Sequence, residues 1–380
     1  MRRIALFGGS FDPIHKAHIE IAKTALREIK FDEIIFIPSG ISPHKAGLTA
    51  SNEDRFNMVS LAIKGEEKLS VSDFEIKKET KCYSYETVKE FKKCYPDDEL
   101  YFIIGDDQYE KFTSWFKWEE LLSMCKFLVF TRGGSEIKPP FTEMKIPPID
   151  ISSSDIRMRL ENGLDISAFV PGDVSSYIKE KGLYKEKAEI SEIKKKLKAS
   201  LKESRYNHTL GVVETSLSLA THYGVPSEKA VIAAYLHDSA KNFSDEELFE
   251  KAEKYGILLS GEDKKMPQII HSYVGKFVAK EDYGIEDEEV LDAIYYHTTG
   301  SIDMSLLSKI IFIADMTEKG RKDFPGLSEI RELMYEDIDK ALLKAFDSTI
   351  CYNIKKGAIL NLETLRARNY ILSKGTKDGH

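Results

Sequence analysis

Three stretches of this sequence carry side chains suited to work on phosphate. Residues 8–18 read Gly-Gly-Ser-Phe-Asp-Pro-Ile-His-Lys-Ala-His. Glycine lets the backbone approach a phosphate chain, and the N-terminus of a following helix favours anions. His15 and His18 share one helical face and could steady charge on a phosphoryl group in transfer. Spacing alone leaves a plainer reading open: a tight turn followed by two partly exposed histidines. Residues 152–157, Ser-Ser-Ser-Asp-Ile-Arg, form a second phosphate candidate. Ser152 and Asp155 match a capping box, with Ile151 and Ile156 at the hydrophobic-staple positions. Free N–H groups, hydroxyls and Arg157 would then converge at one helix end.

The third group lies in the second half: His208, His237, Asp238, His271, His297 and Asp315. Their helical phase points inward. Val290, Ile294 and His297 fall on one apolar stripe, as do Leu307, Ile311 and Asp315, and Val231, Ala234 and Asp238. A buried, unpaired carboxylate is costly, so two of them call for cations. Imidazoles and carboxylates meeting inside a helix bundle suit a first-row transition metal. For any single histidine a satisfied core position is the better reading; six inward polar residues on five helices argue for a site.

The elements that must position these residues differ between the halves. Strand-like runs at 4–7, 34–38, 69–71, 100–104 and 127–130 alternate with helical patterns at 15–29, 52–63, 85–94 and 108–122. That alternation predicts an α/β fold with a mostly parallel sheet, whose function gathers beyond the strand C-termini. The charged stretch 185–198 reads as a short linker and then a helix from about residue 190. Helical patterns follow at 203–222, 227–238, 244–255, 268–281, 286–297, 303–316, 336–353 and 361–373, so the second half is all-α. The predicted organisation is a Rossmann-like domain at 1–186, a helical domain at 187–373 and a flexible tail at 374–380.

Composition narrows the function class. A net charge of −8 argues against a general nucleic-acid binder. Four scattered cysteines without Cys-x-x-Cys spacing argue against a cysteine-rich zinc site or disulfide framework and suit a reducing cytosol. No apolar run approaches a membrane span, and the N-terminus has no signal-peptide pattern. The expected setting is cytoplasmic, with small-molecule partners; a homo-oligomer is compatible with the sequence. Trp115 and Trp118 flank an aromatic-rich stretch; tryptophan at this spacing is more often core than ligand platform, and its place just past the 105–107 loop also allows a flat ring ligand.

The string 8–18, Pro43-His44-Lys45, Phe102 to Asp107 and the 151–157 segment together resemble bacterial nicotinate-mononucleotide adenylyltransferases. The ending at Val170-Pro171 and Gly182-Leu183-Tyr184 is also similar, so the likeness spans about residues 1–185. It implies transfer of AMP from ATP, with magnesium, to nicotinate mononucleotide, giving deamido-NAD and pyrophosphate. It further implies that Gly8, Gly9, Ser10 and Phe11 approach ATP and that His15 and His18 line its phosphates. Ser154 and Arg157 would hold the polyphosphate, Lys45 would reach phosphate from its loop, and Asp107 would contact nucleotide. Ser84, Trp115, Phe116, His44 and Arg132 match positions around the nicotinate substrate. Ala17 stands where the pattern has glycine, which is tolerable only at negative φ.

The order His…His-Asp…His…His…Asp resembles HD-domain phosphohydrolases in their two-metal form. Arg205-Tyr206-Asn207-His208-Thr209, His237-Asp238 with Lys241, His297-Thr298-Thr299-Gly300 and Arg366-Ala367-Arg368-Asn369-Tyr370 are similar to the YqeK-like symmetrical diadenosine tetraphosphate hydrolases. The likeness covers about residues 190–373 and implies two metal ions, iron by family, with cleavage to two ADP. His208, His237, Asp238, His271, His297 and Asp315 would be ligands, Asp238 bridging. Lys241 and Arg205 could meet phosphate, although an ordinary surface charge explains either equally well. Two alternatives remain at this level. The same folds could take another adenylyl acceptor and another nucleotide, or the second domain could be a metal-stabilised regulatory module without turnover.

Overall fold

The computed structural model describes residues 1–40, 49–78, 80–131, 136–145 and 151–375. The chain divides into two compact units, Met1–Glu186 and Lys187–His380.

The first unit is built on one parallel sheet. Its strands are β1 Arg3–Gly9, β2 Glu33–Pro38, β3 Leu69–Val71, β4 Glu99–Gly105, β5 Lys126–Thr131 and β6 Thr142–Lys145, in the order β3-β2-β1-β4-β5-β6. All five pairings are parallel. Between and after them run α1 Lys16–Ile29, α2 Asn52–Ala62, α3 Ser84–Cys94, α4 Asp106–Glu110, α5 Trp118–Met124, α6 Ser153–Glu161 and α7 Gly172–Lys181. β1 shows why its apolar run is continuous rather than alternating. Ala5 and Phe7 face a core built with Ile21, Met58, Ile156 and Val174, from α1, α2, α6 and α7. Ile4 and Leu6 face a second core with Val88 and Leu121, from α3 and α5. A strand covered on both faces needs apolar residues at every position.

The chain order reverses direction at β1, which has β2 on one side and β4 on the other. Ligands of open α/β sheets bind beyond the strand C-termini at such a switch point. Here that place is occupied by Gly8-Gly9 at the end of β1 and Gly105 at the end of β4.

Two elements depart from the sequence expectation. The single helix expected at 108–122 is broken into α4, a 3-10 turn at Phe112–Ser114 and α5. Trp115 is extended (ψ 143°) and Lys117 takes a left-handed φ of 54°. The break lets Phe112 bury in the core while Trp115 packs edge-on against Phe102. β6 was not anticipated, because only Met144 of its four residues is buried.

The second unit has no strand among its described residues. Its helices are α8 Ala188–Ser200, α9 Glu203–Tyr223, α10 Ser227–Leu236, α11 Asp245–Lys254, α12 Pro267–Tyr283, α13 Glu288–Tyr296, α14 Leu306–Thr317, α15 Leu327–Glu336, α16 Ile338–Lys356 and α17 Leu362–Gly375. α8 buries Ile190, Ile193 and Leu197 at helical spacing, which turns the charged stretch into an amphipathic helix. α10 is buried without interruption from Ala230 to Leu236, the pattern of a central helix. α15 was not anticipated. Of the tail expected at 374–380, Lys374 and Gly375 complete α17, and Lys374 pairs with Asp303. Residues 376–380 lie outside the described residues.

Candidate active sites

The first site begins where β1 ends. Gly8 and Gly9 are needed for space: a Cβ on Gly9 would lie 2.8 Å from the Phe11 ring, and one on Gly8 3.1 Å from Phe102. Phe11 is fully buried and adopts a φ of 48°, turning the chain towards α1. His15 is the N-cap of α1, and His18 follows one turn later. Their rings stack at 3.7 Å between centroids. The His15 backbone N–H donates to His18 Nδ1 at 3.2 Å. In the neutral ring the His18 proton therefore sits on Nε2, where it can be donated. Ala17 lies inside α1 and is not among the residues of positive φ, so its methyl group is accommodated.

The second phosphate candidate joins the first. Ser152 caps α6 by accepting from the Asp155 N–H at 3.1 Å, and Asp155 accepts from the Ser152 N–H at 2.8 Å. Ile151 and Ile156 are buried in the same core. Arg157 donates to the Asp12 carbonyl at 2.6 Å and to Ser154 Oγ at 3.1 Å. Ser153 donates to the Pro13 carbonyl at 2.9 Å. The start of α6 is thus tied to the glycine turn by two side chains.

The result is one cavity of about 440 Å³, lined by Gly8, Gly9, Ser10, Phe11, His15, His18, Asp107, Ser154 and Arg157 among others. A smaller cavity of about 140 Å³ shares Gly8, Gly9 and Ser10 with it and reaches Ser84, Trp115 and Phe116. The glycine turn is the wall common to both. Glu75 lines the smaller cavity; burial pushes its carboxyl above the usual range, against hydrogen bonds from Thr87 and Gly40. His44, Lys45 and Arg132 lie outside the described residues.

Three supporting residues were not anticipated. Arg55, fully buried on α2, donates to the carbonyls of Ser10 at 2.7 Å and Ser39 at 2.5 Å, and to Asn52 Oδ1 at 2.7 Å. It clips the loop after β1 to the loop after β2. Tyr184 donates to Asp12 Oδ1 at 2.7 Å, while Thr49 and Ala50 donate backbone N–H groups to the same carboxylate. Gln108 lines both cavities and accepts the Gly105 N–H. Asp12 stood within the 8–18 string; Arg55 had no local signal.

The second site draws on five helices. His208 comes from α9, His271 from α12 and Asp315 from α14; His237 and Asp238 follow α10, and His297 caps α13. Three imidazoles are aimed by the carbonyl three residues earlier: His237 by Ala234, His271 by Gln268 and His297 by Ile294, each at 2.7 Å. For His237 and His297 these carbonyls belong to the last helical turn, where they lack intrahelical partners. Nδ1 holds the proton in each ring, so each Nε2 presents a lone pair.

Those lone pairs converge on Asp238. Its Oδ1 lies 3.1 Å from His271 Nε2 and 3.8 Å from His297 Nε2, and these two nitrogens are 3.2 Å apart. Its Oδ2 lies 3.4 Å from His237 Nε2 and 4.0 Å from His208 Nε2. Asp315 Oδ1 lies 2.9 Å from His208 Nε2 and 3.9 Å from His237 Nε2. The Nε2 atoms of His208 and His237 are buried without a hydrogen bond of proper geometry. Facing nitrogen lone pairs around a carboxylate repel unless a cation lies between them. The donors therefore fit divalent metal: the ligand atoms of His208, His237 and Asp315 converge in one group, and those of His237, Asp238 and His297 in a second that His271 adjoins.

The electrostatics agree. Burial opposes the Asp238 charge; positive charge on His237 and ring N–H donation from His237, His271 and His297, the protonated counterpart of a bound cation, hold its carboxyl well below the usual range. Asp315 is likewise depressed, against its burial, by His208, His237 and Arg321. Burial pushes the His271 imidazole down to about 4, leaving it neutral and able to ligate.

Cations ring the cluster. Arg205 pairs with Asp238 Oδ2 at 2.8 Å, and Arg321, which the sequence reading missed, lies 3.7 Å from Asp315 Oδ1. Lys241 Nζ stands 3.2 Å from the His271 ring nitrogens, and burial lowers its pKa. Lys241 and Arg321 also line a cavity of about 870 Å³ that extends past Thr298 to Tyr352 on α16 and Asn361 just before α17.

The comparisons with known proteins cover both units. The Cytidylyltransferase-like family matches residues 6–159, and the HD domain family matches residues 205–320. A Mycoplasma genitalium protein named "Probable nicotinate-nucleotide adenylyltransferase/Ap4A hydrolase" is 32% identical over 341 residues, covering 88% of this chain and 93% of its own. A "Probable nicotinate-nucleotide adenylyltransferase" from Shouchella clausii is 43% identical over 188 residues, 48% of this chain and 97% of its own. A solved "predicted HD superfamily hydrolase involved in NAD metabolism" from Clostridium acetobutylicum shows 44% identity, covers 48% of this chain and 97% of its own, and has a TM-score of 0.47.

Proposed function

The chain belongs to the family of nicotinate-nucleotide adenylyltransferase/Ap4A hydrolases, and from that membership we propose how its residues divide two reactions. It is a bifunctional enzyme, a nicotinate-nucleotide adenylyltransferase fused to an HD-domain hydrolase that binds divalent metal. Among the described residues no helix is long and apolar enough to cross a membrane. The expected setting is the cytoplasm.

In the first unit, ATP with magnesium occupies the larger cavity and the nicotinate mononucleotide ring the smaller one. The observation that carries this reading is the glycine turn shared by both cavities, which brings donor and acceptor to one wall. The acceptor phosphate attacks the ATP α-phosphorus in line, so the protein's work is positioning and charge stabilisation. His18 Nε2–H donates to the transferring group and His15 lines the neighbouring phosphate. Ser154, Arg157 and the N-terminus of α6 hold the polyphosphate. Lys45 adds charge at the phosphates, and Asp107 contacts the nucleotide. Ser84, Trp115, Phe116, His44 and Arg132 select the ring and its carboxylate.

In the second unit, the substrate is diadenosine tetraphosphate and the products are two ADP. The convergence of four imidazole Nε2 atoms on Asp238 and Asp315 supports two metal positions, with iron as the expected metal. Metal bound there supplies Lewis-acid activation of water and of the scissile phosphate. His208, His237, Asp238, His271, His297 and Asp315 would hold the metal, with Asp238 shared between the two positions, and Lys241 and Arg321 would meet phosphate oxygens at the mouth of the large cavity. Small nucleotides are the only partners this reading requires.

One experiment on full-length protein tests the assignment. Bound metal is measured, then adenylyl transfer to nicotinate mononucleotide and hydrolysis of diadenosine tetraphosphate are assayed in wild type and Asp238→Ala. Loss of metal and hydrolysis with transfer intact is the expected result. Unchanged hydrolysis and metal content would overturn the second site, and preference for the amide mononucleotide would overturn the ring assignment.

A further inference from the structure

The fourth histidine of the cluster is held differently from the other three. His237, His271 and His297 each donate Nδ1–H to a neutral backbone carbonyl. His208 Nδ1 instead lies 3.2 Å from Glu318 Oε1, a carboxylate just past the end of α14. Glu318 is only 4% exposed, and its other oxygen accepts the Gly320 N–H. Its side chain sits in space that two glycines leave open. A Cβ on Gly211, one turn beyond His208, would fall 2.5 Å from Glu318 Oε2, and one on Gly320 would fall 3.0 Å away. Arg331 donates to the carbonyls of Thr317 and Glu318 at 3.0 and 2.8 Å, fixing the chain end from which Glu318 reaches back. Asp315 and Glu318, three residues apart, therefore hold opposite nitrogens of one ring, with Asp315 2.9 Å from Nε2.

We infer that Glu318 is a positioning residue that makes the two metal positions unequal, the one on His208, His237 and Asp315 binding more tightly. The inference rests on reading the second unit as a two-metal centre. A carboxylate behind the ring fixes its proton on Nδ1 and raises the basicity of Nε2 more than a neutral carbonyl does. His271 and His297, both backed by carbonyls, gain no such increment. Glu318 itself touches no substrate and no reacting atom.

Cobalt(II) alone is the probe, titrated into metal-free full-length protein and followed by its visible absorption and by bound metal per chain. Wild type is expected to fill two positions in two separate steps. Glu318→Gln keeps the shape and an acceptor for Nδ1–H but removes the charge. It is expected to weaken the tighter step by roughly 10–100-fold and leave the other unchanged. Gly211→Ala, which crowds the carboxylate while keeping its charge, is expected to weaken the same step. Circular dichroism and the second unit's own thermal transition check that each variant is folded. A single step in wild type, equal weakening of both steps, or a tighter step untouched in either folded variant overturns the inference. A wild type that takes up no cobalt in the second unit overturns the metal reading itself.

Discussion

Replacing Arg55 by lysine should weaken the first activity and lower its thermal limit while sparing the second. Arg55 is fully buried and makes three side-chain hydrogen bonds, to Ser10 O, Ser39 O and Asn52 Oδ1, at 2.7, 2.5 and 2.7 Å. The planar guanidinium serves three acceptors in different directions; an ammonium on a shorter reach can satisfy about one. Hydrogen bonds to a charged group contribute about 1.5–3 kcal/mol each, so two lost bonds cost about 3–6 kcal/mol. Domain stabilities are about 5–15 kcal/mol, which makes this a large fraction of the total. At about 2–4 °C per kcal/mol for a unit of this size, the first unit should unfold roughly 6–24 °C lower. The assay is calorimetry of the full-length chain, with both activities measured after stepwise heating. Adenylyl transfer should be lost well before hydrolysis, and its KM values should rise below the transition because the turn at Ser10 loosens. A transition for the first unit shifted by less than about 2 °C would refute the claim that Arg55 clips the two loops together.

Two further perturbations separate local roles. His18→Ala removes the donor aimed at the transferring phosphoryl group, and kcat for adenylyl transfer should fall about 10²–10³-fold, with hydrolysis unchanged, in parallel steady-state assays. Glu75→Gln tests the buried acid beside the smaller cavity. Burial raises its folded pKa, so the stability it contributes is complete below its unfolded value of 4.5 and is lost as pH rises through the folded value. Glutamine keeps an acceptor for the Thr87 hydroxyl, 2.6 Å away. Urea unfolding of the variant should therefore show higher stability than wild type at neutral pH, with the difference shrinking towards pH 4; the opposite trend would show that Glu75 is held as a charged group.

Local pattern alone determined a good part of this protein. The apolar runs alternating with amphipathic stretches predicted the parallel sheet, because a strand buried on both faces and a helix buried on one leave different periods in the chain. The cap at Ser152 and Asp155 and the inward phase of His297 and Asp315 were legible for the same reason: their geometry is set within one or two helical turns. Tertiary structure alone decided what those residues meet. Glu318 finds His208 across 110 positions of sequence, and Tyr184 finds Asp12 across 172. Arg55 carries no periodic or motif signal, since its task depends on two loops that only the folded sheet brings side by side. The break at 108–122 also escaped the helical pattern, because burial of Phe112 against Phe127 and Phe141 outweighs the local preference for a continuous helix. Periodicity fixes which face of an element is buried, whereas the partner of a buried polar atom is chosen by packing between elements far apart in the chain.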